Sequence, residues 1–152
     1  MRTKSTPRKA RTSFVGVQRA FAGRGVPSSE RLRRWARAAA RGAGDVTLRV
    51  VGAAEGRRLN RLFRGRSRPT NVLTFCYSEN PLRGDVVLCH PVIAREARAQ
   101  GKRRDAHYAH LVVHGMLHLR GYDHARAHDA ARMERREIAI LVRLGFADPY
   151  AG

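Results

Sequence analysis

The chain has 152 residues, enough for a single domain with one sizeable hydrophobic core. With 43% hydrophobic residues it is not a disordered chain, and no apolar run approaches the roughly 18 residues needed to span a bilayer. Its 31 Lys and Arg against 12 Asp and Glu leave a formal net charge of +19, which favours a polyanionic partner, nucleic acid first, through long-range attraction and counterion release. The arginines are spread along the chain, as they would also be in a basic protein with no such partner. Two cysteines, Cys76 and Cys89, are too few for a disulfide framework, and each follows an apolar run, so both read as buried thiols. The opening MRTKSTPRKARTS has five basic residues, no acid and no hydrophobic segment. It reads as a disordered basic tail over residues 1–13, ahead of one domain over residues 14–152. It is no secretory signal, although an organellar transit peptide has a similar composition. A soluble cytoplasmic protein, with no membrane partner, is the expectation.

The first strand is expected over 14-FVGVQRAF-21, where apolar and polar residues alternate. Pro27, Ser28 and Ser29 offer cap chemistry for a helix whose Leu32, Trp35, Ala36 and Ala39 share one face, with Gly42 as its stop. Val46 to Val51 reads as a strand, and Ala53 to Phe63 as a helix with Leu59, Leu62 and Phe63 turned inward. Asn71 to Phe75 and Asp85 to Cys89 read as short strands separated by a turn around 79-ENPLRG-84. From Pro91 onward the pattern is helical. There is no internal repeat and no long linker. This order predicts an α+β fold with α/β character: one small mixed sheet of about four strands against about five helices, with a histidine-bearing helix at the centre.

That central helix is 106-AHYAHLVVHGMLHL-119, which contains almost no charge and reads as buried. His107, His110, His114 and His118 fall on one of its faces, within about 80° of arc. Imidazoles along a buried stripe are costly unless something satisfies them. Residues eight apart on a straight helix are separated by roughly 12 Å, too far to share an ion, whereas an i,i+4 pair one turn apart can chelate. His114 and His118 are therefore the best pair. Gly121 offers a place to break the helix and reverse, and His124 then follows as a third ligand. The pattern H-x3-H-x2-G-x2-H leaves a fourth position for water, the arrangement of catalytic rather than structural zinc. Imidazoles also suit nickel, copper or iron. Metzincin proteases share this spacing but place a Glu after the first His as general base; here that residue is Gly115, which cannot take a proton. Asp123, beside His124, would serve as a base or orient that ring. Any one of these histidines alone would more often be a hydrogen-bonded core residue, and it is the spaced trio that points to a metal. His107 and His110 read as supporting or structural, and His90 and His128 as packing or surface residues.

The segment 114-HGMLHLRGYDH-124 resembles the signature of the YbeY endoribonucleases, also called ribosomal RNA maturation factors. The segment 59-LNRLFRGRSRPTNVLTF-75 resembles a second hallmark of that family, and 84-GDVVLC-89, Glu96-Ala97, 107-HYAHLVVHG-115, 133-MERREIAILVRLGF-146 and 148-DPY-150 follow in the family's order. Ser67 stands where the family usually has an acid, Thr74 replaces Ser, and Cys76 occupies a position often held by Pro. None of these departures touches a metal ligand. The resemblance implies one zinc ion on His114, His118 and His124, and an essential arginine at Arg64.

The resemblance further implies a zinc-dependent, single-strand-specific endoribonuclease acting in 16S ribosomal RNA 3′-end maturation and ribosome quality control. Its partners would be single-stranded and ribosomal RNA, the small ribosomal subunit, and ribosomal proteins or assembly GTPases. Arg64 suits the role, since a guanidinium offers a planar fork to phosphate, and Asn71 and His110 are further candidates for RNA contact and for ring support or proton transfer. Two other readings share parts of the pattern: a zinc-bearing ribosome-assembly factor with little nuclease activity, and a metzincin-like peptidase. The nucleophile, metal-bound water or the 2′-hydroxyl, is open in the sequence.

Overall fold

A computed structural model of the chain describes residues 14–42, 44–64, 70–122 and 126–151, with the Arg64 side chain outside that set. In chain order the described residues form β1 (Phe14–Arg19), α1 (Ser29–Ala39), β2 (Gly44–Val51), α2 (Ala53–Arg64), β3 (Val72–Glu79), β4 (Leu82–Cys89), α3 (His90–Ala99), α4 (Arg104–Leu119) and α5 (Ala127–Arg143). The strands make one sheet in the order β1-β2-β4-β3. The pairs β1–β2 and β2–β4 are parallel, and β3 runs antiparallel to β4 at the edge. The chain length between strands accounts for this. A turn at Asn80–Pro81 closes the β3–β4 hairpin, whereas the parallel neighbours are joined by crossovers that contain helices. The expected α+β architecture, with one mixed sheet and five helices, is the one observed.

Central strand β2 sends Val46, Leu48 and Val50 into the main core with α1 and α4, while Val51 joins Leu73, Val87, Cys89 and Val92 in a second cluster beside Leu59 of α2. Both faces of the sheet are therefore covered, as parallel strands require. On α1 the Ser28 Oγ accepts from Arg31 N at 3.2 Å, capping the helix, and Leu32, Trp35, Ala36 and Ala39 are buried, as the spacing predicts. Trp35 meets the ring of Phe146 edge-on, with centroids 5.7 Å apart, and so ties α1 to the end of the chain. Trp35→Ala is expected to cost about 3–5 kcal/mol of stability, read from the midpoint of denaturant unfolding.

Four expectations need correction. β1 ends at Arg19 rather than residue 21, because Phe21 leaves the strand to stack on His90 at 5.3 Å. β3 and β4 extend beyond Phe75 and ahead of Asp85, since the short turn lets the ladder continue to the Glu79–Leu82 pair. Cys76 is exposed, beside a register shift between Cys76 and Ser78 in the edge strand, whereas Cys89 is buried as expected. On α2, Leu62 and Phe63 are 65% and 62% exposed. The buried face of that helix runs through Gly56 and Asn60 with Leu59 beside it, and Leu62 falls about 110° off that face. Phe63 lies on the stripe but in the last turn, where its ring meets that of Phe75 in the edge strand, with centroids 5.0 Å apart.

Helix α4 crosses the centre of the domain, and most of its residues are buried. It lies close to the sheet at Gly115, where an added Cβ would fall 2.9 Å from Val86 Cγ1 and 3.4 Å from Thr74 Cγ2. The helix stops at Gly121, which adopts φ +97; its N–H reaches His118 O at 3.0 Å, and Tyr122 N reaches Leu117 O at 3.0 Å. These are the closing bonds of a left-handed C-terminal cap. Helix α5 packs against α4. Among the described residues no helix is long and apolar enough to cross a membrane.

Candidate metal centre

His90, His107, His110, His114 and His118 are all among the described residues, and their partners separate their roles. His90, the first residue of α3, sits between Phe21 and Tyr108. Its Nε2 is 3.1 Å from Arg24 O, which can only accept, so Nε2 donates and Nδ1 accepts from the Tyr108 hydroxyl at 2.6 Å. Burial pushes its pKa down, in keeping with a neutral packing histidine. His128 is exposed.

The other histidines share a face of α4. His107 Nε2 donates to Glu96 Oε1 of α3 at 2.9 Å, and Asn71 Nδ2, at the head of β3, donates to the same oxygen at 3.0 Å. Asn71 thereby ties the start of the edge strand to α3 and α4. Burial is the main influence on His107 and lowers its pKa against the opposing pull of Glu96. One turn on, His110 Nε2 lies 3.2 Å from Glu137 Oε1 and 3.2 Å from the Tyr150 hydroxyl. His114 Nδ1 bonds Glu137 Oε2, and the Tyr150 hydroxyl donates to Glu137 Oε1. His114 and His118 are neighbours one turn apart, with ring centroids 4.8 Å apart and planes at 75°.

Glu137 organises this face. Its carboxylate is fully buried, and burial alone would raise its pKa, yet hydrogen bonds from His110, His114 and Tyr150 outweigh that and hold it at about 2. It is thus charged at neutral pH and stabilised by donors rather than by water. Burial, then donation to Glu137, pushes the Tyr150 phenol well above its ordinary value.

Two arrangements of ligands can be drawn from this geometry. His110, His114 and Glu137 offer donor atoms all within 4.8 Å of one another, a group that could hold a metal ion. In that group, however, both carboxylate oxygens already accept hydrogen bonds from the two rings, so an ion would have to displace those protons. The pair expected from the sequence, His114 and His118, lies side by side on the same helix face. The third expected ligand, His124, and the neighbouring Asp123 lie outside the described residues. Arg64 ends α2, and its side chain is outside them too.

Glu137, Tyr150 and Glu96 are not among the residues that the sequence singles out for chemistry. Glu137 had a visible signal: an acid on the buried stripe Met133, Glu137, Ile140 and Leu141 of an otherwise amphipathic helix. Glu96 and Tyr150 carry no such signal, because their partners are fixed only by packing.

A small mixed sheet crossed by a buried helix, whose histidine face is backed by an ionised carboxylate, defines an α+β domain with a candidate metal centre. The sequence pattern of a family described as Endoribonuclease YbeY matches residues 29–145. The chain is 57% identical over 126 residues to Endoribonuclease YbeY of Aromatoleum aromaticum, covering 82% of each chain. It is 53% identical over 126 residues to that of Nitrosomonas europaea, covering 82% of this chain and 77% of the other. With that of Methylobacillus flagellatus it is 49% identical over 138 residues, 90% of this chain and 93% of the other. The solution structure of TM1509 from Thermotoga maritima is similar at a TM-score of 0.53 and 27% identity, over 90% of this chain and 99% of that one. The chain belongs to the YbeY endoribonuclease family.

Proposed function

We propose that the protein is a zinc-dependent endoribonuclease specific for single strands, acting in the cytoplasm in 16S ribosomal RNA 3′-end maturation and ribosome quality control. Residues 14–152 would form its one catalytic domain, with ribosomal proteins or assembly GTPases as partners on the small subunit. One observation carries this reading: the adjacent His114 and His118 rings on a buried helix, with an ionised Glu137 bonded to the first of them. Family membership and the net charge of +19 support it.

The donor set fits a transition metal. Imidazoles one turn apart suit zinc, and His114, His118 and His124 would hold it, with a position left for solvent or substrate. When bound, such an ion supplies a Lewis acid and lowers the pKa of water toward neutrality. The remaining work falls to the chain. Arg64, at the end of α2, holds the scissile phosphate through its planar fork and offsets the charge that builds on its oxygens. Asp123 orients His124 or takes a proton from the attacking oxygen. His110, whose Nε2 is committed to Glu137, supports the carboxylate rather than acting as base. Asn71 has its amide on Glu96, which leaves its carbonyl oxygen to accept from RNA at the head of β3. The positive field tracks the backbone of the strand.

A peptidase is disfavoured by position 115, which faces the sheet at contact distance and has no room for a carboxylate. The test is digestion of unstructured and structured ribosomal RNA by the purified chain, with a peptide pool as control. The expected result is cleavage of unstructured RNA that a chelator stops and zinc restores, with Arg64→Ala slower by about 100-fold. Cleavage indifferent to the chelator would overturn the metal reading. Product ends distinguish the nucleophile, because attack by the 2′-hydroxyl leaves a cyclic phosphate and attack by water does not.

A further inference from the structure

Glu137 is fully buried, and three side chains meet its carboxylate: His110 Nε2 and the Tyr150 hydroxyl on Oε1, and His114 Nδ1 on Oε2. A carboxylate can only accept, so each partner brings the proton. For a neutral His114 ring this places the proton on Nδ1 and makes Nε2 the nitrogen that carries the lone pair. Only a lone pair can bind a metal ion.

Tyr150 is not a loose end of chain. Its backbone N–H donates to Asp148 Oδ1 at 2.8 Å, Lys102 Nζ donates to Pro149 O at 3.2 Å, and Phe146 N reaches Leu141 O at 2.9 Å. Its ring stands edge-on to His110, with centroids 5.3 Å apart. The segment after α5 is thus pinned to α1 through Trp35, to the α3–α4 turn through Lys102, and to Glu137 through its phenol.

We propose that Glu137 sets His114 to bind metal through Nε2, and that Tyr150 is a positioning residue which, from the C-terminal segment, holds Glu137 in the pose that does so. This rests on the reading of His114 as a metal ligand. Carboxylates that bind the far nitrogen of a metal-bound histidine orient the ring and raise its basicity, and losing them typically weakens metal binding about 10- to 100-fold. Without the Tyr150 hydroxyl, Oε1 keeps, among the described residues, the 3.2 Å contact from His110, and the carboxylate is free to turn toward that ring and away from His114.

The experiment compares the full wild-type chain with Tyr150→Phe and Glu137→Gln. Long-range proton–nitrogen NMR of the metal-free proteins reports which imidazole nitrogen carries the proton, and competition with a chromophoric chelator reports zinc affinity. In the wild type, His114 should carry its proton on Nδ1 and take zinc on Nε2. Glu137→Gln should weaken zinc binding about 10- to 100-fold. Tyr150→Phe should weaken it about 2- to 10-fold, the worth of one hydrogen bond, with the fold intact by circular dichroism because that side chain is half-exposed and its ring is kept. The proposal is overturned if metal-free His114 carries its proton on Nε2, if zinc sits on its Nδ1, or if Tyr150→Phe binds zinc as tightly as the wild type. A wild-type chain that binds no zinc would sink the metal reading of His114, while the spectrum of the same sample still decides where the His114 proton lies.

Discussion

His114→Ala is expected to slow cleavage of unstructured RNA by about 100-fold or more, with zinc binding lost in parallel. The substitution removes half of the one-turn pair on α4, and the charge stabilisation a bound metal gives to a phosphoryl group is worth several kcal/mol, each 1.36 kcal/mol being about tenfold in rate. It also takes one donor away from the buried Glu137 carboxylate. That loss carries a stability cost of about 1–3 kcal/mol, which His110 and Tyr150 limit by staying in place. Circular dichroism and thermal unfolding of the same sample therefore accompany the assay. A folded His114→Ala protein that cleaves at the wild-type rate would remove the metal from the account and place the catalytic groups elsewhere on the chain.

Gly115→Val is the substitution expected to reach the histidine pair through the fold. A Cβ at this position already lies 2.9 Å from Val86 Cγ1, with Thr74 and Val72 methyls at 3.4 and 3.5 Å. Val86 is a fully buried, β-branched residue of the sheet and cannot step aside cheaply. Two opposing magnitudes decide the sign. Replacing a mid-helix Gly with Ala returns about 1 kcal/mol of helix propensity, whereas overpacking costs about 1–3 kcal/mol. Gly115→Ala is thus expected near neutral to mildly destabilising, and Gly115→Val, with two further methyls and a poorer helix former, to cost about 3 kcal/mol. Denaturant unfolding of the three proteins measures both differences. Because α4 would be pushed off the sheet, zinc affinity should fall with stability, since His114 and His118 ride on the same helix.

The sequence made the frame of this molecule legible where periodicity and burial coincide. Leu32, Trp35, Ala36 and Ala39 mark a helix face that is wholly buried, and Ser28 is the cap its residue type suggests. The uncharged run from residue 106 to 119 is the central helix, and Gly121 is its stop. Legibility failed where the third dimension decides. Leu62 and Phe63 look like core residues, but the helix carries one off the buried face and the other past the edge of the sheet. Cys76 follows an apolar run that belongs to an edge strand with a register shift, so it faces outward. At the site, the spacing of His114 and His118 singles out the pair, because a helix fixes what lies one turn away. Glu137 is 23 residues from His114, and Tyr150 is 13 residues from Glu137. No local pattern fixes such distances, and an acid on the apolar stripe of α5 was the only mark.

The most direct test of the central claim is X-ray absorption at the zinc edge of the fully loaded, full-length chain. The account requires one zinc with three imidazole nitrogens at about 2.0–2.1 Å completed by light oxygen, and a shell that loses an imidazole in His118→Ala. A shell of two imidazoles and a carboxylate, unchanged by His118→Ala, would place the ion on His110, His114 and Glu137 instead and contradict it.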